Sequence, residues 1–336
     1  MADAAILLTA WRILSTARSM ADTYEANRQV CKYVHSTSKG HEAIQIATGL
    51  QLLPCDYVSP YYRDDSLLLA MGHQPYEMML QLLAKAGDPF SGGRSYYCHP
   101  SSTDNTKPRM IHQSSATGMQ AIPTTGVAQG IQYLEINDSP LLVKGPNDEL
   151  PVVLCSMGDN SVTEGEVSEA LQFAALKQLP VIFLVQDNNW GISVSAAEAR
   201  SMNAFEFAAG FKGLHAMQVN GADFSAAYET MHQAISFVRQ ERKPVLVHAT
   251  VPLLNHHTSG VRKEFYRSTD DLEAHALRDP LPKLKKALLQ QGITETTLQE
   301  IADQASHEVQ QAFERACAAP EPDPSTVDKH VFAPTP

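Results

Sequence analysis

From Pro151 onward the sequence alternates between two patterns, and this alternation restricts the fold more than any other feature. Short apolar runs, "PVVLCSM", "PVIFLVQ", "LHAMQVNG" and "PVLVHATVPLL", are interspersed with the helical segments "EVSEALQFAALKQ" and "FSAAYETMHQAISFVRQ". A strand that is apolar at successive positions has no face for water, so it needs cover on both sides. In the first helical segment Val167, Ala170, Leu171 and Ala174 recur at i, i+3, i+4 and i+7, a stripe suited to that covering. The order strand, helix, strand predicts βαβ units with right-handed crossovers. The fold class is therefore α/β, a doubly wound, mostly parallel sheet with helices on both faces.

Helical patterns flank this region. Residues 1–50 read as an N-terminal helical extension, in "LLTAWRILSTARSMADTYEANRQ" and "SKGHEAIQIATGLQL". Leu7, Trp11 and Leu14 recur at helical spacing, which marks an amphipathic helix rather than a signal peptide. Residues 51–280 form the α/β module. It opens on the junction "PCDYVSPYYRDDS" and the helix "YEMMLQLLAKAG", followed by a long ordered loop from Asp88 to about Ser115. Residues 281–318 read as a C-terminal helical region and 319–336 as a proline-rich tail or linker.

Composition excludes several classes. The 336 residues carry a formal net charge of −11, which disfavours binding to nucleic acid, where phosphate neutralisation needs excess Lys and Arg. No stretch reaches the roughly 18 apolar residues of a membrane span. The five scattered cysteines, with no CxxC or Cys/His zinc spacing, read as reduced thiols of a cytoplasmic protein.

In an open parallel sheet, ligands bind beyond the carboxyl ends of the strands. Asp159 and Asn188 follow two such ends, and His256 and His257 follow a third. Carboxylate and carboxamide oxygens are hard ligands, suited to Mg²⁺ or Ca²⁺, and Mg²⁺ commonly completes its shell with water and substrate phosphate. The segment "NSVTEG" is expected to open the next helix, with Ser161 or Thr163 as cap and free N–H groups facing a phosphate. These positions read as a metal–diphosphate site. Taken alone, Asp and Asn after strands also serve as turn and cap residues, and Arg63 as a surface partner of Asp64 or Asp65.

At this point several motifs together resemble a known family. "GDNSVTEGE…FLVQDNNWGIS", with "YYRDD", "GMQAIPTTGVAQG" and "NHHTSGVRKEFYR" in the same order, is similar to the alpha subunit of the thiamine diphosphate-dependent decarboxylating component of 2-oxo acid dehydrogenase complexes. The likeness runs from about Gly40 to Ala318 and implies the thiamine diphosphate-binding fold. It implies Mg²⁺ bound by Asp159, Asn188 and the Trp190 carbonyl. It implies cofactor contacts from Tyr62, Arg63, Gly118, Gly158, Asn160 and Ser161. His257, with His256 beside it, would be the active-site histidine. Three positions depart from the family. Asn160 replaces a glycine of the signature, on the expectation that Asn tolerates a left-handed turn. Leu253 stands where relatives often carry arginine, and Gln186 where branched-chain relatives do.

The resemblance further implies oxidative decarboxylation of a 2-oxo acid and acyl transfer to a lipoyl group on an acyltransferase component. The glutamate that activates the cofactor belongs to a beta subunit, giving a heterotetramer of two alpha and two beta chains. That beta half is either separate or fused downstream. The loop "NHHTSG" favours branched-chain substrates such as 3-methyl-2-oxobutanoate over pyruvate or acetoin. A nicotinamide enzyme would need G-x-G-x-x-G and a P-loop enzyme G-x-x-x-x-G-K-[ST]; neither occurs. A non-catalytic binding subunit is the reading from a different class.

Overall fold

The computed structural model describes residues 3–111, 114–329 and 331–332. Its centre is a six-stranded sheet, all of whose pairs are parallel: β1 (Tyr57–Ser59), β2 (Arg109–Met110), β3 (Val153–Gly158), β4 (Val181–Asp187), β7 (His215–Asn220) and β8 (Val245–Thr250), in the order β2-β1-β3-β4-β8-β7. A small antiparallel hairpin, β5 (Trp190–Gly191) with β6 (Val194–Ser195), stands apart. The helices are α1 (Ala4–Ala26), α2 (Glu42–Gly49), α3 (Asp65–Ala70), α4 (Pro75–Leu82), α5 (Ala121–Ile136), α6 (Gly165–Lys177), α7 (Ala196–Ala199), α8 (Ala204–Ala208), α9 (Phe224–Glu241), α10 (Thr269–Ala276), α11 (Pro280–Gln290) and α12 (Glu295–Ala318).

The period-2 alternation of strand side chains divides the interior into two cores. Val153, Cys155 and Met157 of β3, with Val181, Phe183 and Val185 of β4, face α5, α6 and α8. Leu154, Ile182, Leu184, Val245 and Val247 face the other way, toward α1, α2, α9 and α12. β4 is buried throughout and β3 up to its last residue, Gly158, which is why both read as unbroken apolar runs. The edge strand β7 is covered less completely, and its polar residues His215, Gln218 and Asn220 fit that position. Val167, Ala170, Leu171 and Ala174 of α6 are all buried.

The terminal helices pack on each other beside the second core. The Trp11 indole donates to the Leu298 carbonyl at 2.9 Å, and Arg18 joins the α1 helix to both Glu42 and Asp279. Burial of the α1 stripe, Leu7 to Tyr24, holds this layer, at about 1.5–3 kcal/mol per large apolar side chain.

Four sequence expectations change. The first helix stops at Ala26, and 27–41 is irregular, because its polar groups find tertiary partners. Ser36 Oγ donates to the His257 carbonyl at 2.7 Å, and Ser38 N–H donates to Asp65 at 3.3 Å. The junction after Leu52 contains β1, and the long loop contains β2; strands of three and two residues are too short to show a period. "NSVTEG" does not open an α-helix directly. A 3₁₀ turn spans Asp159–Thr163, α6 begins at Gly165, and neither Ser161 nor Thr163 caps it with its side chain. The described part of the tail folds back: the Pro320 carbonyl accepts from Ala86 N–H at 3.0 Å, and Glu321 pairs with Lys85 at 2.8 Å. Among the described residues no helix is long and apolar enough to cross a membrane, and all five cysteines are free thiols.

Candidate active site

Register sets the geometry of the site. Gly158 at the end of β3 pairs with Gln186 of β4, so the next residues, Asp159 and Asp187, lie side by side, with Asn188 one position further. β8 pairs with β4 on its other side and runs into the loop carrying His257. Three neighbouring strand ends thus open into one cleft of about 550 Å³. Tyr62, Arg63, Gly158, Asp159, Asn160, Ser161, Asn188, Trp190 and His257 all line it. Gly118 and His256 do not. Gly118 has φ +84° in the turn before α5, and an added Cβ would lie 3.0 Å from that of Glu164, so glycine is required there by the backbone. His256 faces the opposite side of its loop, accepting from Lys263 N–H at 3.2 Å and lying 3.8 Å from Glu25.

Beneath the cleft lies a buried polar junction. Gln186 donates to Asp64 at 2.8 Å and to Ser156 at 2.9 Å, and accepts from Gln45 and from His41 Nδ1, each at 2.9 Å. His41 Nε2 then accepts from the Asn188 amide at 3.1 Å, and the Asn188 oxygen accepts from Trp190 N–H at 3.0 Å. Burial, followed by the charge of Arg63, keeps the His41 ring far below its usual pKa and therefore neutral, as this relay requires. The fold thus points the Asn188 side chain with two hydrogen bonds.

Arg63 is fully buried and does not pair with Asp64 or Asp65. Its guanidinium donates to the His257 carbonyl at 3.1 Å and to that of Thr37 at 3.5 Å. Tyr62 Oη lies 3.3 Å from His257 Nε2. Burial first, then the charges of Arg63 and Arg267, hold His257 well below the usual imidazole value, so it is a neutral ring at pH 7. Asn160 has no left-handed backbone, contrary to the turn expected at that position; positive φ falls instead at Asn189 and Ile192. Gly191 makes room for the Asn160 side chain, whose Nδ2 would lie 1.6 Å from a Cβ there.

The residues that sequence reasoning missed are Asp187 and Arg200. Arg200, just past α7, donates to both oxygens of Asp187 at 2.8 and 2.7 Å and makes a close ion pair with Asp159. His248 Nε2 holds Asp187 from behind at 2.8 Å. Burial, then the neighbouring Asp187 charge, raises the Asp159 carboxyl. Burial acts likewise on Asp187, but the bonds from His248 and Arg200 outweigh it and hold that carboxyl below its ordinary value. Asp187 adjoins Asn188 in sequence and was open to notice; nothing in "SAAEAR" announces a residue that reaches two carboxylates.

With this arrangement in view, the family match is decisive: a family model described as "Dehydrogenase E1 component" matches residues 12–325. The chain belongs to the dehydrogenase E1 component family. It is 30% identical over 295 residues to the pyruvate dehydrogenase E1 component subunit alpha of Porphyra purpurea, covering 88% of this chain and 83% of that protein. It is 29% identical to the 2-oxoisovalerate dehydrogenase subunit alpha of Bacillus subtilis (88% and 85% covered), and 27% identical to the 3-methyl-2-oxobutanoate dehydrogenase subunit alpha of Mycobacterium tuberculosis (89% and 75%). The E1 chain is thus a 2-oxo acid dehydrogenase alpha-type subunit, an oxidoreductase of a family that depends on thiamine diphosphate.

The E1 cleft has the chemistry for that cofactor. Among the described residues, four buried polar atoms around it have no hydrogen-bond partner: Asn160 Oδ1, Trp190 Nε1, His257 Nδ1 and Arg63 Nε. Buried groups of this kind are costly unless a ligand satisfies them. Asp159 and Asn188, which both line the cleft, carry hard oxygen atoms of the kind that suits Mg²⁺ rather than zinc.

Proposed function

We propose that this chain is the alpha subunit of a branched-chain 2-oxo acid dehydrogenase. It would bind thiamine diphosphate through Mg²⁺ held by Asp159, Asn188 and the Trp190 carbonyl, and act with a beta subunit and a lipoyl-bearing acyltransferase, in the cytoplasm. The observation that carries this reading is the placement of Asp159 and Asn188 on adjacent strand ends, with neutral His257 from the next strand facing the same cleft. When bound, the cofactor supplies the carbanion nucleophile and the electron sink for decarboxylation. The chain's own residues do the rest. Arg63 fixes the His257 loop through the His257 carbonyl, and Tyr62 orients the ring at Nε2. His257, uncharged, can accept or donate a proton at the unpartnered Nδ1. Asn160 and Ser161, at the start of the 3₁₀ turn, face the cleft where the diphosphate would lie, and Gly158 allows the chain to approach it.

The branched-chain assignment draws support from the double-histidine loop and from the apolar rim of the cleft. Val34, Ile192 and the rings of Tyr62 and Tyr96 offer a surface for a branched aliphatic group. The Porphyra pyruvate dehydrogenase relative favours pyruvate as the second reading.

The test is 2-oxo acid-dependent reduction of an artificial electron acceptor by this chain together with its beta partner, with and without thiamine diphosphate and Mg²⁺. Turnover that needs both and is lost in Asp159→Ala is the expected result, with kcat/KM higher for 3-methyl-2-oxobutanoate than for pyruvate. Higher kcat/KM for pyruvate would overturn the substrate, and no turnover with any 2-oxo acid from an assembled complex would overturn the activity.

A further inference from the structure

We infer that Arg200 is a resident counter-cation that keeps free divalent ions out of the Asp159 site, so that metal enters only together with the diphosphate. The inference rests on the reading of Asp159 as a cation ligand. Arg200 occupies Asp159 with one arm of its guanidinium and Asp187 with the other, and the Asn189 side-chain oxygen lies 3.5 Å away. The contacts are out of water: Arg200 is 10% exposed, Asp159 3% and Asp187 5%. Asp187 cannot follow a departing Arg200, because His248 Nε2 pins its carboxylate at 2.8 Å. The planar fork of arginine suits this bridging of two carboxylates, which a lysine ammonium would do poorly.

With both carboxylates ionised, Arg200 and the two carboxylates it bridges carry a single net negative charge. A bare divalent ion at Asp159 would reverse that sign and strip Arg200 of one counter-ion within a buried site, where like charges repel strongly. A metal that arrives carrying a diphosphate brings negative charge in excess of its own, so the displaced arm of Arg200 gains a partner. Next to Asp159, Asn160 Oδ1 is a buried acceptor with no donor among the described residues, a position that an arriving ligand can satisfy. Arg200 caps the four-residue helix α7, its N–H donating to the Ala196 carbonyl, so the shift asked of it is one of the side chain alone.

The experiment measures Mn²⁺ binding to the full chain by paramagnetic resonance of free Mn²⁺, with and without thiamine diphosphate. Wild type is compared with Arg200→Met, Arg200→Lys and the double variant Arg200→Met/Asp159→Asn. Without cofactor, Arg200→Met binds Mn²⁺ about tenfold or more tightly than wild type, within the range usual for coupled sites. With cofactor the two converge, and the double variant binds no Mn²⁺ at this site. Wild type binding Mn²⁺ as tightly as Arg200→Met without cofactor overturns the inference while leaving the cofactor reading intact. Failure of every form to bind Mn²⁺, with cofactor present, overturns both. If Arg200→Met does not fold without a cation, Arg200→Lys carries the comparison. Its cofactor-free Mn²⁺ affinity must exceed wild type, and equal affinity overturns the inference.

Discussion

Gln186→Leu removes the group on which the polar junction beneath the cleft converges. The side chain is fully buried, and its amide makes four hydrogen bonds, with Asp64, Ser156, Gln45 and His41. Leucine fills a similar volume, so the loss is polar rather than a cavity. Some partners can re-pair. The Ser156 hydroxyl rotates, and His41 Nδ1 has Tyr61 Oη at 3.4 Å as a substitute. Gln45 keeps its bond to the Arg63 carbonyl at 3.0 Å, and Asp64 keeps Tyr61 N–H at 2.9 Å. The second Asp64 oxygen still has the Ser156 hydroxyl, which leaves one Gln45 amide hydrogen buried and unpaired. At about 1–3 kcal/mol for a buried group left unsatisfied, the expected loss is about 2 kcal/mol. Urea unfolding of the cofactor-free chain, followed by far-ultraviolet circular dichroism, reads it as a lower midpoint at unchanged slope. Because His41 also orients Asn188, metal affinity should fall in the same variant by about 10- to 100-fold. A stability loss below about 1 kcal/mol would refute the argument, since it would mean the four bonds add nothing beyond what water supplies.

Other consequences are equally open to measurement. Burial, above all, pushes the Asp65 carboxyl up to about 7 and Asp64 up to about 6, from an ordinary 3.8. The folded chain then holds protons that the unfolded chain has released, so their contribution is full below pH 3.8 and is lost as pH rises to about 7. The urea midpoint should fall over that window, and fall less in Asp65→Asn; equal slopes would contradict this. Gly191→Ala places a Cβ 1.6 Å from Asn160 Nδ2 and must expel that side chain from the cleft. The chain should still fold, with metal affinity reduced about 10- to 100-fold, and unchanged affinity would show that Asn160 has no part in the site. Tyr62→Phe removes the bond to His257 Nε2 and should lower kcat about tenfold with little change in stability. His256→Asn, whose partners lie on the far side of the loop, should leave kcat close to wild type, and a loss like that of Tyr62→Phe would show that His256 acts in the cleft.

The legible parts of this molecule were those where local pattern and tertiary demand coincide. β3, β4 and β8 are covered on both faces, so burial wrote an apolar run into each. β1 and β2 were not legible. They are short, and Tyr57 is a strand residue only because Val153 is there to pair with, as Arg109 is because of Tyr57. Likewise, residues 27–41 carry no pattern that forbids helix; they remain irregular because Ser36 and Ser38 bond to groups far along the chain. In the site, Asp159 and Asn188 follow strand ends and could be found by position. Arg200 could not, because an ion pair to carboxylates 41 and 13 residues away leaves no local trace.

The sequence by itself determined the parallel βαβ core and which strand ends would carry Asp159 and Asn188, because the period of apolar residues is a direct consequence of burial. Only the tertiary structure decided which of two adjacent histidines faces the cleft and that a buried arginine lies across Asp159 and Asp187. Those outcomes depend on the course of loops and on charges meeting across the fold, neither of which has a period that a sequence can display.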